Sequence, residues 1–251
     1  MSQPDAPLFS IITPVFNASA TLDETLASVR AQTRTDWEHL LIDDASSDNS
    51  RALLEAAAAR DPRLRVIALS RRSGAARARN AGIRAARGRY IAFLDADDLW
   101  HPDKLARQKT VLETGAGLVF SSYRRIDASG RELGQVRAPA LLDFDHALRG
   151  NAIGCLTAVY DTAIYGKTYM PDIPRRQDYG LWLDLLRRGG AAVGIEDSLA
   201  DYRVRPNSLS SNKVRAALGT WQVLRDSGEL GRISAAWHFG QYVAHALRKR
   251  L

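Results

Sequence analysis

Over the first 120 residues, short apolar runs alternate with stretches in which apolar residues recur every three or four positions. The runs Phe9–Val15, Trp37–Asp43, Leu64–Leu69, Arg89–Leu94 and Gly117–Ser122 predict strands. The stretches Thr21–Gln32, Asn49–Arg60, Ala75–Ala86 and Asp103–Glu113 predict helices. Leu22, Leu26 and Val29 fall on one helical face; Ser46 or Ser47 suits a cap for the second helix, and Pro102 suits the first turn of the fourth. Strand–helix alternation of this kind predicts a mostly parallel sheet covered on both faces, with ligands bound beyond the carboxyl ends of the strands. From Tyr123 the pattern changes. Asp127-Ala-Ser-Gly130 marks a hairpin within Arg125–Gln135, Leu141–Arg149 reads as a short helix and Ile153–Tyr160 as a strand. Tyr179–Arg188 reads as a helix burying Leu181, Trp182, Leu185 and Leu186. After Tyr202 the chain reads as mostly helical, with Trp221, Trp237, Phe239 and Tyr242 set among basic residues.

The polar positions that break this pattern carry the chemistry. Tyr90–Trp100 reads YIAFLDADDLW, an apolar run that ends in Asp95, Asp97 and Asp98. Like charges this close repel unless a cation sits between them. Hard divalent ions take oxygen ligands, often one or two carboxylates together with substrate phosphates. The Asp95-x-Asp97 pair therefore points to Mn²⁺ or Mg²⁺ carrying a diphosphate; the plain alternative is a turn whose acids cap the next helix. The Trp37 strand ends in Asp43-Asp44 and the first strand in Thr13-Pro14-Val15-Phe16-Asn17, both at the end where a ligand belongs. Asp44-Ala-Ser-Ser-Asp48 also reads as a turn, and the two roles are compatible.

Charge and composition narrow the field. The 251 residues carry a net charge of +7, 45% apolar residues and one cysteine, Cys155. That excludes an intrachain disulfide framework and a thiolate metal cluster. Cys155 lies in an apolar run and reads as core; the histidines show no metal-ligand spacing. Residues 60–89 hold ten arginines against one acid, and residues 207–251 hold seven Lys or Arg against two acids. Neither region shows a nucleic-acid-reading signature, so no nucleic acid partner is expected. With no secretory signal and no long apolar span, the expected location is the cytoplasm.

Four motifs occur in order: Thr13-Pro14-Val15-Phe16-Asn17, Ile42-Asp43-Asp44-Ala45-Ser46-Ser47-Asp48, Gly74-Ala-Ala-Arg77-Ala-Arg79-Asn80-Ala-Gly82-Ile83 and Phe93-Leu94-Asp95-Ala96-Asp97-Asp98. Together they resemble the family 2 inverting glycosyltransferases. Arg176-Gln177-Asp178-Tyr179-Gly180-Leu181-Trp182 and Tyr202-Arg203-Val204-Arg205-Pro206-Asn207-Ser208-Leu209-Ser210 add to the resemblance, which covers roughly Leu8 to Ser211. These last two are most similar to bacterial enzymes that build surface polysaccharides such as teichuronic acid, capsule and O-antigen.

The resemblance implies an α/β, GT-A type Rossmann-like sheet flanked by helices, over residues 1–205. A nucleotide-binding half would span 1–122, an acceptor-binding half 123–205, and a basic amphipathic helical tail 206–251. It implies a nucleotide-sugar donor, foremost a UDP-sugar, and a saccharide or lipid-linked saccharide acceptor. Thr13, Pro14 and Asn17 would line the nucleotide pocket, Asp44 would read the base and Asp43 would hold the loop. Arg79 would lie near the diphosphate, Asn80 would fix backbone, Asp95 would contact the ribose or the metal's waters, and Asp97 would bind the metal. Asp98 would cap the following helix. Asp178, at a helix start where the dipole favours the ionised form, would be the base that deprotonates the acceptor hydroxyl. The tail's basic and aromatic residues suit either an anionic membrane face or packing on the domain. Two other readings compete. A nucleotidyltransferase typically opens with a Gly-rich loop and a basic residue, and Pro14–Ala20 contains neither. A non-enzymatic basic binding module leaves the ordered acids unexplained.

Overall fold

The computed structural model describes residues 6–205, 213–226 and 236–240. The strands are β1 (Phe9–Val15), β2 (Trp37–Asp43), β3 (Leu64–Ala68), β4 (Tyr90–Phe93), β5 (Leu99–Trp100), β6 (Leu118–Ile126), β7 (Glu132–Val136), β8 (Leu141–Leu142), β9 (Val159–Asp161) and β10 (Ala192–Arg203). The helices are α1 (Leu22–Arg30), α2 (Ser50–Ala58), α3 (Ala75–Ala85), α4 (Lys104–Leu112), α5 (Phe144–Ala147), α6 (Thr162–Tyr165), α7 (Gln177–Gly189) and α8 (Lys213–Asp226).

One sheet runs in the order β3-β2-β1-β4-β9-β6-β10-β5, with β7 beside β6 and β8 beside β10. β3, β2, β1 and β4 pair in parallel, as the strand–helix alternation predicts. β9 runs antiparallel between β4 and β6, and β10 returns parallel to β6. The alternation of side chains along β1 and β2 divides the core. Phe9, Ile11, Val15 and Leu41 pack with Leu22, Leu26 and Val29 of α1, Leu54 of α2 and Leu105 of α4. Ile12, Leu40 and Ile42 face the other way and pack with Ala78 and Ile83 of α3 and Leu181, Trp182 and Leu185 of α7. Each fully buried large side chain of this kind contributes about 1.5–3 kcal/mol. Gly82 lets α3 lie close on β1: a Cβ there would fall 2.5 Å from Ile12 Cγ2.

In the first half every predicted strand is present, with the two-residue β5 added unforeseen; the second half departs further from the sequence pattern. β10 is absent from that pattern. It shifts register twice against β6, between Ile195 and Ser198 and between Ser198 and Asp201, so its apolar positions do not alternate. Gly194 sits inside it because a Cβ would overlap Pro139 O at 1.9 Å. Ile153–Tyr160, expected to be one strand, divides into a 3-10 turn, Cys155–Thr157, and the short β9. Leu141–Arg149 contributes β8 before the helix α5. The expected boundary between residues 122 and 123 falls within β6.

Arginines of the basic stretch are matched with acids. Arg65 and Arg87 pair with buried Glu38, Arg63 with Asp61, Arg77 with Asp172, and Arg89 with Asp161. Of the tail, α8 packs on α7 and buries Val223 and Leu224, and Trp221 meets Phe239 edge-on at 5.5 Å. Leu218 and Trp237 are exposed. Pro206–Ser210, Tyr242 and Arg248-Lys249-Arg250 lie outside the described residues. Among the described residues, no helix is long and apolar enough to cross a membrane.

Candidate active site

The carboxyl ends of β1, β2 and β4 lie side by side, because the three strands pair in parallel. The loop after β1 is clipped to the loop after β2 by Asn17. Its φ is +49°, in the left-handed region that asparagine tolerates. Asn17 Oδ1 accepts from the backbone N–H of Ser47 (2.8 Å) and Asp48 (3.3 Å), and Asn17 N donates to Ser46 Oγ. Thr13 turns inward instead. Its hydroxyl is fully buried and bonds His39 Nε2 at 2.8 Å, so its side chain is engaged within the sheet. Pro14 pairs with Ile42 in the sheet and is part-buried.

Asp43 and Asp44 both hold loops. Asp43 accepts from Ser46 N (3.1 Å). Asp44, 3% exposed, accepts from Ser73 N (2.6 Å) and Gly74 N (2.8 Å) through separate oxygens. It thereby fixes the entry to α3, the helix that carries Arg79. A carboxylate keeps further lone pairs after two such bonds, so loop-holding leaves capacity for a ligand donor.

At the end of β4 the three acids separate by environment. Asp95 forms an ion pair with Arg79, whose side chain is 6% exposed and whose Nε is buried with no hydrogen-bond partner. Asp97, with 30% of its side chain exposed, pairs with Arg205 Nε at 3.0 Å. Its carboxyl is pushed up by burial and then by the charge of Asp95. Asp98 is 1% exposed and accepts from Arg203 N at 2.9 Å. Burial, then Asp97 and Asp95, push its carboxyl well up. This corrects the expectation that Asp98 caps the next helix: β5 intervenes, the cap position of α4 is Asp103, and Asp98 instead ties the acid turn to β10.

Asp178 faces this cluster from the first turn of α7. Arg176, directly before the helix, has φ +63° and ψ +21°, a left-handed conformation that costs a non-glycine residue about 1 kcal/mol or more. Burial pushes the Asp178 carboxyl up, and the guanidinium of Arg79 is the main opposing influence. Arg79 therefore connects the acids: it is paired with Asp95 and within electrostatic reach of Asp178 and Cys155. Cys155 is a part-buried member of the 3-10 turn beside this cluster, and burial keeps its thiol well above its ordinary pKa. That state is protonated and not nucleophilic.

The structure thus gathers Arg79, Asp95, Asp97 and Asp178 at one end of the sheet, with Asn17 and Asp44 on adjoining loops. Sequence reasoning assigned no role to Arg203, Arg205 or Asn151. Arg203 binds Asp97 O through Nε (3.0 Å) and pairs with Glu24, and Arg205 reaches Asp97 and Thr21 Oγ1. Both arginines stand in the Tyr202–Ser210 motif, so that signal was present; Asn151 had none.

A mixed sheet, parallel through β3, β2, β1 and β4 with acids grouped at its strand ends and continued by antiparallel pairings and a second set of helices, is the GT-A architecture of glycosyltransferases. The family model described as "Glycosyl transferase family 2" matches residues 10–170, and the chain belongs to that family. It is 42% identical to the putative teichuronic acid biosynthesis glycosyltransferase TuaG of Bacillus subtilis strain 168, over 98% of each chain. It is 34% identical to the UDP-Glc:alpha-D-GlcNAc-diphosphoundecaprenol beta-1,3-glucosyltransferase WfgD of Escherichia coli, over 98% of this chain and 96% of that one. Among solved structures, the mannosyltransferase PcManGT of Pyrobaculum calidifontis, in complex with GDP-Man and Mn²⁺, matches with a TM-score of 0.70. The match covers 95% of this chain and 74% of that one at 20% identity, and shows the fold.

Proposed function

We propose that this glycosyltransferase takes a sugar from a UDP-sugar and transfers it, with inversion, to a saccharide or lipid-linked saccharide during bacterial surface-polysaccharide synthesis. The observation that carries the reading is that Arg79 is ion-paired with Asp95 at the end of β4, next to Asp97, and is also within electrostatic reach of Asp178 at the start of α7. The full-length likeness to WfgD favours UDP and a lipid-linked acceptor over the GDP-sugar bound by PcManGT, whose likeness is one of fold alone.

A divalent metal fits the residues present. Among the described residues, no three His, Cys, Asp or Glu side chains converge as a self-sufficient metal cage. Asp97 is instead a part-exposed, hard oxygen donor whose ionised form is disfavoured by burial and by Asp95, a deficit that a cation relieves. This is the donor set of a metal held jointly with substrate phosphates. Asp97 would hold it directly, with Asp95 beside it. Such a metal supplies charge stabilisation on the departing diphosphate.

The chain's own residues do the rest. Asp44 and Asn17 shape the loops that border the nucleotide. Arg79, held by Asp95, places a fixed positive charge where phosphate charge develops. Asp178 takes the proton of the acceptor hydroxyl as that oxygen attacks the anomeric carbon, on the side opposite the leaving nucleoside diphosphate. One base suffices, unlike the two-carboxylate arrangement of hydrolases. The exposed Leu218 and Trp237 and the basic sequence around them support reversible contact of the tail with an anionic inner membrane face.

Thermal stabilisation by a panel of nucleotide sugars, with and without Mn²⁺, tests the donor reading. A UDP-sugar at 100 times its Kd should add about 2.7 kcal/mol, and EDTA should remove most of it. Stabilisation by GDP-sugars alone, or by none of the panel, contradicts the proposal.

A further inference from the structure

We propose that Asn151 is the positioning residue for Asp178: its side-chain amide holds one carboxylate oxygen and leaves the other for the acceptor hydroxyl. The proposal rests on the reading of Asp178 as the base. Asn151 Nδ2 lies 3.4 Å from Asp178 Oδ2 and donates to it. The other end of the amide is fixed independently, since Asn151 Oδ1 accepts from Ile153 N at 3.1 Å. That second bond settles which way the amide faces. The reverse orientation would point an N–H at an N–H and a carbonyl oxygen at a carboxylate.

The segment carrying Asn151 is built as a collar around the start of α7. At one end Tyr179 OH donates to Ala147 O at 2.8 Å, inside the core. At the other end the 3-10 turn Cys155–Thr157 places Cys155 beside Arg79. Asn151 lies between these anchors, and among the described residues its side-chain hydrogen bonds go to Asp178 and Ile153 and not to the nucleotide loops or the β4 acids. Its bond therefore acts on Asp178 and not on the donor side of the cleft.

The bond also balances the charge state of the base. Burial pushes the Asp178 carboxyl up, with Asp95 at the end of β4 adding to the rise. Arg79 of α3, Arg176 and the Tyr179 N–H of α7 oppose it. Asp178 also acts electrostatically on Cys155, in the turn, and on Tyr123, on β6. A donor at Oδ2 favours the ionised form, which is the form that accepts a proton.

Two substitutions separate positioning from folding. Asn151→Asp keeps an oxygen for Ile153 N but sets a like charge against Asp178. Asn151→Ala removes both bonds. Steady-state kinetics across pH, with donor affinity measured by calorimetry, read both, and Asp178→Asn is assayed in parallel. For Asn151→Ala the expected result is a kcat lowered roughly tenfold, the worth of one hydrogen bond to a charged group, with donor Kd within about twofold. For Asn151→Asp the acidic limb of the kcat profile should move up by about one pH unit. If Asn151→Ala does not fold, the Asn151→Asp profile decides alone. An Asn151→Asp profile that overlays the wild type overturns the proposal, as does loss of donor affinity in step with kcat. Retained turnover in Asp178→Asn overturns it together with the base assignment, whereas an inactive Asp178→Asn beside a wild-type Asn151→Asp removes Asn151 alone.

Discussion

The two walls of the proposed site, one for the donor and one for the acceptor, are held in place by different means. On the donor wall, Asn17, Asp44 and Asp95 follow directly from parallel strands with fully buried interiors, and their side chains are engaged by backbone N–H groups or by a buried guanidinium. On the acceptor wall, Asp178 follows a left-handed Arg176, and its carboxylate is held by the adjacent Tyr179 N–H and by one long contact from Asn151 on a loop. The donor wall is a preformed cradle, suited to a ligand of constant shape such as a nucleoside diphosphate. The proposed acceptor wall relies on irregular chain, which tolerates change without disturbing the sheet. Specificity for different acceptors can therefore change on one wall while the donor chemistry of the other is kept.

Removing Asp97 should break the donor wall most severely. Asp97→Ala is expected to abolish transfer and the metal-dependent part of UDP binding, while the thermal midpoint stays near wild type because the side chain is part-exposed. Equal UDP affinity in Mn²⁺ and in EDTA, with transfer intact, would show that the metal is held elsewhere. Asp44→Ala should be milder. It strips the Ser73 and Gly74 N–H groups of their acceptor, so about 1.5–3 kcal/mol should be lost per charged hydrogen-bond set, divided between stability and nucleotide affinity. Chemical denaturation and UDP calorimetry separate the two shares; unchanged values in both would leave Asp44 without a structural or binding role.

A smaller effect tests the rigidity under this wall. His39 supports Thr13 and is fully buried, and burial, with Arg30 adding to it, lowers its pKa to about 3. The folded protein therefore keeps it neutral while the unfolded chain protonates it near pH 6.5. Between those values the unfolded state binds the extra proton. Stability is accordingly full above pH 6.5 and is lost as pH falls towards 3, by up to about 1.4 kcal/mol per unit. Denaturation midpoints of the wild type and His39→Gln at pH 7 and pH 5 should diverge, with the variant less pH-sensitive. Parallel profiles would mean that His39 is not held neutral by the fold.

The same contrast explains what the sequence made legible. β1 and β2 were readable to the residue because both faces are buried and each is centred on consecutive large apolar residues, Ile11-Ile12 and Leu40-Leu41-Ile42. The acids stood out because they end such runs. β10 was hidden by its two register shifts and by Gly194, which break alternation for a packing reason that lies in Pro139, 55 positions away. Thr13 was legible as a strand-end residue, but not as one that turns inward to His39, since that depends on the neighbouring strand's register. Asp98 could not be told from a helix cap without β5 and β10. Asn151 has no local pattern at all, because its partner is 27 residues away on another element.

The division of labour between the walls is tested most directly by Asp178→Asn, with UDP-sugar affinity and turnover measured on the same preparation. The amide preserves shape and cannot accept the proton. Donor affinity should remain within about twofold of wild type while kcat falls by on the order of 10²–10⁴. Turnover near the wild-type value, or donor affinity lost in proportion to turnover, would contradict a donor wall and a base that act independently.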